Sequence, residues 1–245
     1  MEYSIYGINA VNLLVDCFPQ NIIKTFILKD ASNKRLLHIK DKLNQLNVAY
    51  SEKTKHEIDK LSKSQKNQGI LVFIKPLQFK TFNEFKHDIK NVPEDNLILV
   101  LDSIEDPRNL GACLRTANAA GVSAVSINKH GSASINEHVF KTSVGAIFNL
   151  KIYFVTNLSQ SINLLKKNGF WIIGLDTNSS HSIYDLSFSE RTAIVMGSES
   201  RGMKRLTNDS CDIVAKIPMK SNIDSLNVSV ATGIALFEIN RRHLQ

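Results

Sequence analysis

The sequence predicts an α/β protein in which a small α/β domain precedes a larger domain built on a parallel sheet. From Asn96 onward, short apolar runs alternate with helical stretches, and a separate, shorter alternation fills the first third of the chain. A segment with two prolines and an acidic turn lies between the two patterns, as domain linkers do. We therefore predict domains at residues 1–75 and 96–245, joined by a linker at 76–95.

In the front domain, the spacing of apolar residues predicts three helices and three strands. In chain order they are a helix over "INAVNLLVDCF" that ends before Pro19, a strand at "TFILK", a helix over "NKRLLHIKDKLNQL", a strand at "VAYS", a helix near "KHEIDKLS" and a strand at "GILVFI". The linker has room for one short helix.

In the second domain, six short apolar runs predict the strands of the parallel sheet. They are "LILVLDS", "SAVSIN", "KIYFV", "FWIIGLD", "TAIVMG" and "DIVAKIP". Ligands of open α/β sheets bind beyond the carboxyl ends of the strands. The loops that follow Asp102, Met196 and Ile217 are therefore the candidate site.

The composition, with 43% hydrophobic and 22% charged residues, is that of an ordinary globular protein. The first residues lack a basic stretch followed by an apolar run, and no apolar run is long enough to cross a bilayer, so we expect a cytoplasmic protein. Cys17, Cys113 and Cys211 are too far apart for a disulfide framework or a zinc site, and the seven histidines are scattered. We expect reduced thiols and no metal.

The positive charge is concentrated toward the front of the chain. The formal net charge is +7, and residues 1–75 carry 12 Lys and Arg against 7 Asp and Glu. Such a bias favours a polyanionic partner such as nucleic acid. A solvated, lysine-rich surface is the alternative that charge alone leaves open.

The loop after Asp102 reads "DPRNLGACLRTANAAG". We predict a helix that starts near Leu110, with Asn109 as its N-cap, and that ends at a glycine cap, Gly121. Arg115 then lies inside this helix and is the only charged residue between Arg108 and Lys129. Its apolar neighbours suggest a phosphate or carboxylate partner, although a plain surface charge remains open.

The loop after Met196, "GSESRGM", carries Gly197 and Gly202 on either side of Glu199. A P-loop would need lysine where Met203 stands, and the three-glycine dinucleotide fingerprint is absent from the sequence. Glycines after a parallel strand let a ligand approach the backbone. One carboxylate beside them fits a ligand that donates hydrogen bonds.

The loop after Ile217 has more small polar residues than a helix cap needs. Ser225 or Asn227 can cap the following helix, which carries Val230, Ile234 and Phe237 on one stripe and ends in Arg241 and Arg242. The remaining polar residues are ordinary loop positions or ligand contacts. They are Ser221, Asn222, Asp224 and Ser229.

Together these loops resemble the signature motifs of the SpoU/TrmH family of RNA ribose 2′-O-methyltransferases, in the SPOUT superfamily. The segments that carry the resemblance are "DPRNLGACLRTANAAG", "VMGSESRGM" and "IPMKSNIDSLNVSVATGIALFE". In the front domain, "YGINAV" and "NQGILV" look like the ends of the family's small RNA-binding domain, which has the fold of ribosomal protein L30e. Asn67 stands where the family pattern has histidine before Gln-Gly. This departure bears on the identity of the RNA that is contacted there.

The resemblance implies a SPOUT catalytic domain with a trefoil knot, which general rules of chain topology do not predict. It implies a homodimer that uses S-adenosyl-L-methionine and no metal to methylate the ribose 2′-OH of a guanosine in the peptidyl-transferase region of 23S rRNA. The backbone at Gly197, Ile217 and Leu226 would hold the cofactor. The residues that match the family's active-site positions are Asn109, Arg115, Glu199, Ser225, Asn227 and Ser229.

Two alternatives accompany this expectation. One is a ribose 2′-O-methyltransferase that acts on tRNA, against which the separate front domain argues. The other is an RNA-binding assembly factor that keeps the fold without catalysis, against which the intact motifs argue.

Overall fold

The computed structural model describes residues 2–92, 96–220 and 225–243. Its contacts divide the chain into two compact units. The first comprises the residues up to Gln78 together with Ile135–Asn149, and the second comprises Phe79–Ser134 and the residues from Leu150 on. A segment of the second half of the chain thus packs with the front unit. The domain boundaries given above follow sequence order alone and stay a prediction.

The first unit is built on a four-stranded mixed sheet in the order β1-β4-β2-β3. Strand β3 runs parallel to β2, and the other pairs are antiparallel. Its elements are β1 (Tyr3–Tyr6), α1 (Ile8–Cys17), a 3-10 turn (Pro19–Asn21), β2 (Ile22–Leu28), α2 (Lys34–Gln45), β3 (Ser51–Lys53), α3 (Lys55–Ser62) and β4 (Ile70–Ile74).

The three predicted helices of this unit are confirmed, but one strand was misplaced and one missed. The predicted strand "VAYS" is displaced, because the Val48 N–H bonds to the Leu43 carbonyl and completes the exit from α2. The strand begins only at Ser51. Strand β1 was missed because its four residues, "YSIY", are too few for a clear period.

Asn67 is a structural residue of the first unit. It is fully buried, and its Nδ2 donates to Asp59 Oδ1 (2.6 Å) and to Ser62 Oγ (3.0 Å), while Oδ1 accepts the Gly69 N–H (2.9 Å). These bonds hold the turn before β4. The Asn67 side chain is thereby committed to hydrogen bonds within the first unit.

The second unit contains a parallel sheet, in which the described strands run in the order β7-β6-β5-β10-β8-β11-β9. Its strands are β5 (Asn96–Leu101), β6 (Ala124–Asn128), β7 (Lys151–Val155), β8 (Trp171–Leu175), β9 (His181–Ser182), β10 (Arg191–Met196) and β11 (Ile213–Lys216). The helices of the chain beyond α3 are α4 (Phe82–Asp88), α5 (Pro107–Ala119), α6 (Glu137–Ser143), α7 (Leu158–Lys167), α8 (Arg205–Asp209) and α9 (Val228–His243), of which α6 belongs to the first unit.

All six predicted strands of the second domain and the parallel sheet are confirmed. Every residue of β5 is buried, which is why the run reads as continuously apolar. Helices α4 and α7 contribute Phe85, Ile162 and Leu165 to one apolar cluster with strand residues. The short helix expected in the linker is α4, whereas the acidic turn at 93–95 lies outside the described residues.

Helices α5 and α9 pack against each other through small side chains. The Cys113 thiol lies 3.5 Å from the Thr232 hydroxyl. A Cβ on Gly233 would lie 3.5 Å from the methyl carbon of Thr116, an ordinary contact. The packing of α5 against α9 fixes the relative orientation of the loops that precede the two helices.

Candidate active site

A cleft of about 390 Å³ lies at the carboxyl ends of β8, β10 and β11 in the second unit. Its lining residues fall in the ranges 175–178, 196–202, 216–219 and 225–231, although not every residue of the last two ranges takes part. Two of the three loops singled out from the sequence, those after Met196 and Ile217, thus converge as predicted. The loop after Asp102 does not line the cleft but reaches it through a hydrogen bond.

Five of the nine candidate site residues line this cleft. They include the three expected to offer backbone to a cofactor and two expected to act on the substrate. They are Gly197, Ile217, Leu226, Glu199 and Ser225.

Gly197 is required by the protein's own backbone. A Cβ at this position would lie 2.1 Å from both the Gly202 carbonyl carbon and the Met203 nitrogen. The chain turns back here, because Ser198 and Gly202 exchange two backbone hydrogen bonds of 3.0 and 2.9 Å. Position 197 therefore requires glycine because the chain folds back against it, and the approach of a ligand stays a prediction.

Asp102 holds this returning segment against β5. Its carboxylate is fully buried; Oδ2 accepts the Lys204 N–H (2.9 Å) and Oδ1 accepts the Ser103 hydroxyl (3.0 Å). The Lys204 ammonium lies 3.8 Å from Oδ1. A buried carboxylate with these donors fixes the end of the glycine loop. The sequence marked Asp102 only as the end of a strand.

Helix α5 begins three residues earlier than predicted. Asp106 is its N-cap and accepts the Arg108 N–H at 2.7 Å, and Pro107 occupies the first position. Asn109 is therefore not the cap, and its amide is free for other bonds. The predicted end is confirmed, since Gly121 follows the helix with φ of +73°.

A chain of hydrogen bonds joins four of the candidate residues across three loops. Asn227 Oδ1 accepts from the Ser229 hydroxyl (2.6 Å), and its Nδ2 donates to Asn109 Oδ1 (3.0 Å). Asn109 Nδ2 in turn donates to Glu199 Oε1 (2.5 Å). Each amide is thereby oriented by its neighbours, and Glu199 is the terminal acceptor. None of these links was visible in the sequence, where the loops are far apart.

Asn227 also caps α9, as one of the two predicted options. Its Oδ1 accepts the Ser229 N–H at 2.9 Å, while its carbonyl accepts the Ala231 N–H at 3.0 Å. Ser225 lines the cleft instead. Ser221, Asn222 and Asp224 lie outside the described residues.

Arg115 is exposed on α5 and, within the described parts of the chain, makes no hydrogen bond or ion pair. The apolar residues around it in sequence, Leu114, Ala117 and Ala120, are buried on the other side of the helix. These neighbours therefore do not enclose the Arg115 guanidinium, which is exposed. A guanidinium without a protein partner remains available to a ligand.

Sequence reasoning missed the loop after β8. Asp176 and Asn178 line the cleft, and Asp176 Oδ1 accepts from the Asn178 backbone N–H at 2.9 Å. Its Oδ2 accepts no hydrogen bond from a described residue and is the atom nearest to a Cβ built on Gly202, at 3.3 Å. The rule used for the other loops would have found this one, because "FWIIGLD" ends at Asp176.

The thiols do not supply a nucleophile. Burial raises the pKa of Cys113 to about 11 and that of Cys211 to about 12, so both remain protonated near neutral pH. The cysteines are free, as expected. The described residues contain neither a group of three or more possible metal ligands nor a helix long and apolar enough to span a membrane.

Comparison with known proteins identifies the class to which this fold and site belong. Residues 96–237 match the SpoU rRNA methylase family, and residues 4–80 match the family described as RNA 2′-O ribose methyltransferase substrate binding. The chain belongs to the SpoU rRNA methylase family. The resemblance drawn from the three motifs is thus confirmed.

Within this family the chain is similar over its whole length to particular curated proteins. It is 40% identical over 240 residues to the 23S rRNA (guanosine-2′-O-)-methyltransferase RlmB of Vibrio vulnificus, covering 98% of this chain and 97% of that protein. It is 39% identical over 242 residues to RlmB of Escherichia coli K12, covering 99% of each. The crystal structure of the SpoU methyltransferase AviRb from Streptomyces viridochromogenes with AdoMet has the same fold, with a TM-score of 0.81, 18% identity and coverage of 99% and 91%.

Proposed function

We propose that the protein transfers the methyl group of S-adenosyl-L-methionine to the ribose 2′-OH of a guanosine in 23S rRNA, in the peptidyl-transferase region. The observation that carries the proposal is the hydrogen-bonded chain from Glu199 through Asn109 to Asn227, which joins the three family motifs beside one cleft. Identity of about 40% with RlmB proteins over nearly the whole of both chains supports the same substrate.

The cleft suits this cofactor in size and chemistry. Its volume of about 390 Å³ is in the range of small-molecule sites, and both polar and apolar groups line it. The Asp176 and Glu199 carboxylates are acceptors for hydroxyl and ammonium donors, and Leu226 and Met196 offer apolar surface to a flat ring. Gly197, Ile217 and Leu226 would hold the cofactor through their backbone.

S-adenosyl-L-methionine supplies a methyl carbon attached to a sulfonium, which is a good leaving group. The residues of the chain must orient a ribose hydroxyl for in-line attack and favour loss of its proton. A guanidinium offers donors and no acceptor, so Arg115 is not assigned the role of a base. We assign to it the binding of a substrate phosphate and the stabilisation of negative charge that develops on the 2′ oxygen.

The remaining candidate side chains orient the reacting groups. Glu199 uses Oε1 for Asn109 and has Oε2 available to a ligand, since no described residue donates to it. Ser229 is held by Asn227, so its hydroxyl has a fixed direction. Ser225 faces the cleft beside Leu226. These positions fit contacts to the ribose and its neighbours.

The finer features of the fold are part of the same proposal. The trefoil knot is proposed from membership of the SpoU family. The mixed four-stranded sheet of the first unit supports an RNA-binding domain of ribosomal-protein L30e type.

A homodimer is proposed from the exposed side of α9. The stripe expected from the sequence faces outward: Val230 is 51% and Phe237 is 50% exposed, while Val228, Leu236 and Ile239 form the buried side. Large apolar side chains in a row on an exposed helix are typical of subunit interfaces. We place the enzyme in the cytoplasm, where its rRNA substrate is made.

Methyl transfer to different RNAs tests the activity. The protein is incubated with labelled S-adenosyl-L-methionine and either 23S rRNA lacking modifications or unmodified tRNA. The proposal predicts label in the rRNA only. Label in the tRNA only would favour the tRNA alternative. Label in neither RNA, with cofactor binding shown by calorimetry, would favour the assembly-factor alternative.

A further inference from the structure

A second cleft, of about 310 Å³, lies in the first unit between the amino-terminal parts of α1 and α2. It belongs to none of the three family motifs. Its walls carry two amides and three basic side chains beside one apolar residue. The lining residues are Ile8, Asn9, Asn12, Lys34, Arg35 and His38.

The positive charge in this cleft has no partner among the described residues. Lys34 and Arg35 are exposed and form no ion pair there, and no carboxylate lines the cleft. Four other lysines of the same unit are each held by a carboxylate. These pairs are Lys40 with Glu52, Lys42 with Asp16, Lys53 with Glu57, and Lys55 with Asp59.

Asp16, which is hydrogen-bonded to the lining residue Asn12, is already compensated. Asp16 accepts from the Lys42 ammonium (2.6 Å) and from Asn12 Nδ2 (3.2 Å). Asn12 Oδ1 also accepts from Lys42, at 3.0 Å. The cleft is therefore positive in sum. A concave surface with walls of low dielectric concentrates such a potential.

The walls are fixed before any ligand arrives. Ile8 is buried, and its N–H donates to Gln68 Oε1 at 2.7 Å, which ties the start of α1 to the turn before β4. Leu36 and Ile39, on the inner side of α2, are buried, so the adjacent basic residues project from an anchored helix. Preorganised walls lower the entropic cost of binding.

We propose that this cleft binds a phosphodiester group of the RNA substrate, with Arg35 and Lys34 as the cations that neutralise it. The inference rests on the proposed function in that it takes the substrate to be RNA. The planar guanidinium of Arg35 can donate two parallel hydrogen bonds to phosphate oxygens, and Lys34 adds a point charge. Asn9 is exposed at the rim and supplies a neutral donor to the same backbone.

The salt dependence of RNA binding tests this assignment. Binding of unmodified 23S rRNA to the full-length protein is measured by filter retention over a range of KCl concentrations, for the wild type and for the double variant Lys34→Ala/Arg35→Ala. Removing one cation that neutralises a phosphate lowers the slope of log K against log salt by about 1, so the double variant is expected to lower it by about 1 to 2. Its Kd at moderate salt rises about tenfold.

The matched control is Lys24→Ala/Lys60→Ala, which removes the same charge from the same unit. Both lysines are exposed, form no ion pair with a described residue and do not line the cleft. Lys24 lies on β2, where it is paired with Phe73 of β4. The cleft begins at α1, which follows the end of β1, and the last residue of β1 is paired with Leu71. The control is expected to keep nearly the wild-type slope and Kd.

Equal slopes and affinities for the cleft variant and the wild type would overturn the proposal, and so would equal effects in the cleft variant and the control. Inorganic phosphate is added in parallel at constant ionic strength. If it binds the wild type at micromolar concentration but displaces no RNA, the occupant is a free anion and the RNA assignment is wrong. Filter retention needs no methyl transfer, so this result is separate from a failure of the proposed activity.

Discussion

At the scale of single residues, the site depends on a few residues, some of which shape the backbone while others present polar groups at the cleft. Gly197 and Asp102 shape the backbone of the glycine loop, whereas Glu199, which lines the cleft, is joined to Asn109 by a hydrogen bond. Arg115 stands apart, exposed and without a partner among the described residues. Substitutions at these positions should therefore separate folding from chemistry.

Arg115→Ala is expected to reduce kcat for methyl transfer by about 10² to 10³, the usual effect of removing a donor that stabilises developing charge. Folding should be unchanged, because the side chain is exposed and contacts no described partner. Single-turnover methyl transfer and thermal melting measure the two effects. Arg205→Ala, at an arginine that is 93% exposed on α8, removes the same charge and should retain activity. A wild-type rate for Arg115→Ala would contradict its assigned role.

Gly197→Ala is expected to destabilise the second unit by at least about 3 kcal/mol, since the new methyl group would overlap the backbone of Gly202 and Met203. The matched change is Gly233→Ala in α9, where the added carbon meets only Thr116 at 3.5 Å. That variant should be neutral or more stable by up to about 1 kcal/mol, because alanine favours helix. Urea unfolding measures the free energy of unfolding of both variants. Equal values would show that the backbone around Gly197 has room for a Cβ.

At the scale of helices and strands, α9 shows which part of the sequence signal was informative. Its N-cap at Asn227 was among the predicted options, but the stripe of Val230 and Phe237 that looked like the core side is exposed. Periodicity identifies an apolar stripe without saying what covers it. The two arginines at its end both bind the Glu238 side chain.

This cluster predicts a dependence of stability on pH. Hydrogen bonds from Arg241 and then Arg242 lower the pKa of Glu238 from its ordinary value of 4.5 to about 2. A depressed pKa means that the carboxylate stabilises the fold fully above about pH 4.5 and loses this effect as the pH falls toward about 2. In Glu238→Gln, the melting temperature should therefore fall less steeply over that interval than in the wild type.

Glu105→Gln is the control for this measurement, because Glu105 is exposed and forms no ion pair with a described residue. Its melting curve should follow the wild type from pH 7 to pH 2. If Glu238→Gln shows the same acid slope as the wild type, the arginine cluster does not contribute to acid stability.

At the scale of the whole molecule, the fold class and the six strands of the parallel sheet were predictable because buried parallel strands are short, apolar and separated by helices. Two facts were not. The packing of Ile135–Asn149 with the first unit joins residues distant in sequence. The bonds among Asn109, Glu199 and Asn227 likewise depend on how three loops meet, and only the family resemblance named those residues together.

The exposed stripe of α9 predicts the oligomeric state. Phe237→Glu places a charge on an apolar surface that we assign to the dimer interface, so the protein is expected to sediment as a monomer. Leu206→Glu, at a leucine that is 73% exposed on α8, is the control and should leave the dimer intact. Analytical ultracentrifugation measures both. A wild type that is monomeric at micromolar concentration would contradict the assignment.

The central claim is tested most directly by locating the methyl group after reaction. Unmodified 23S rRNA is treated with the protein and S-adenosyl-L-methionine, digested to nucleosides and fragments, and analysed by mass spectrometry. The account predicts a single 2′-O-methylguanosine in the peptidyl-transferase region, which forms about 10² to 10³ times more slowly when Arg115→Ala replaces the wild type. A methyl group on a base, or on the ribose of another nucleoside, would contradict it.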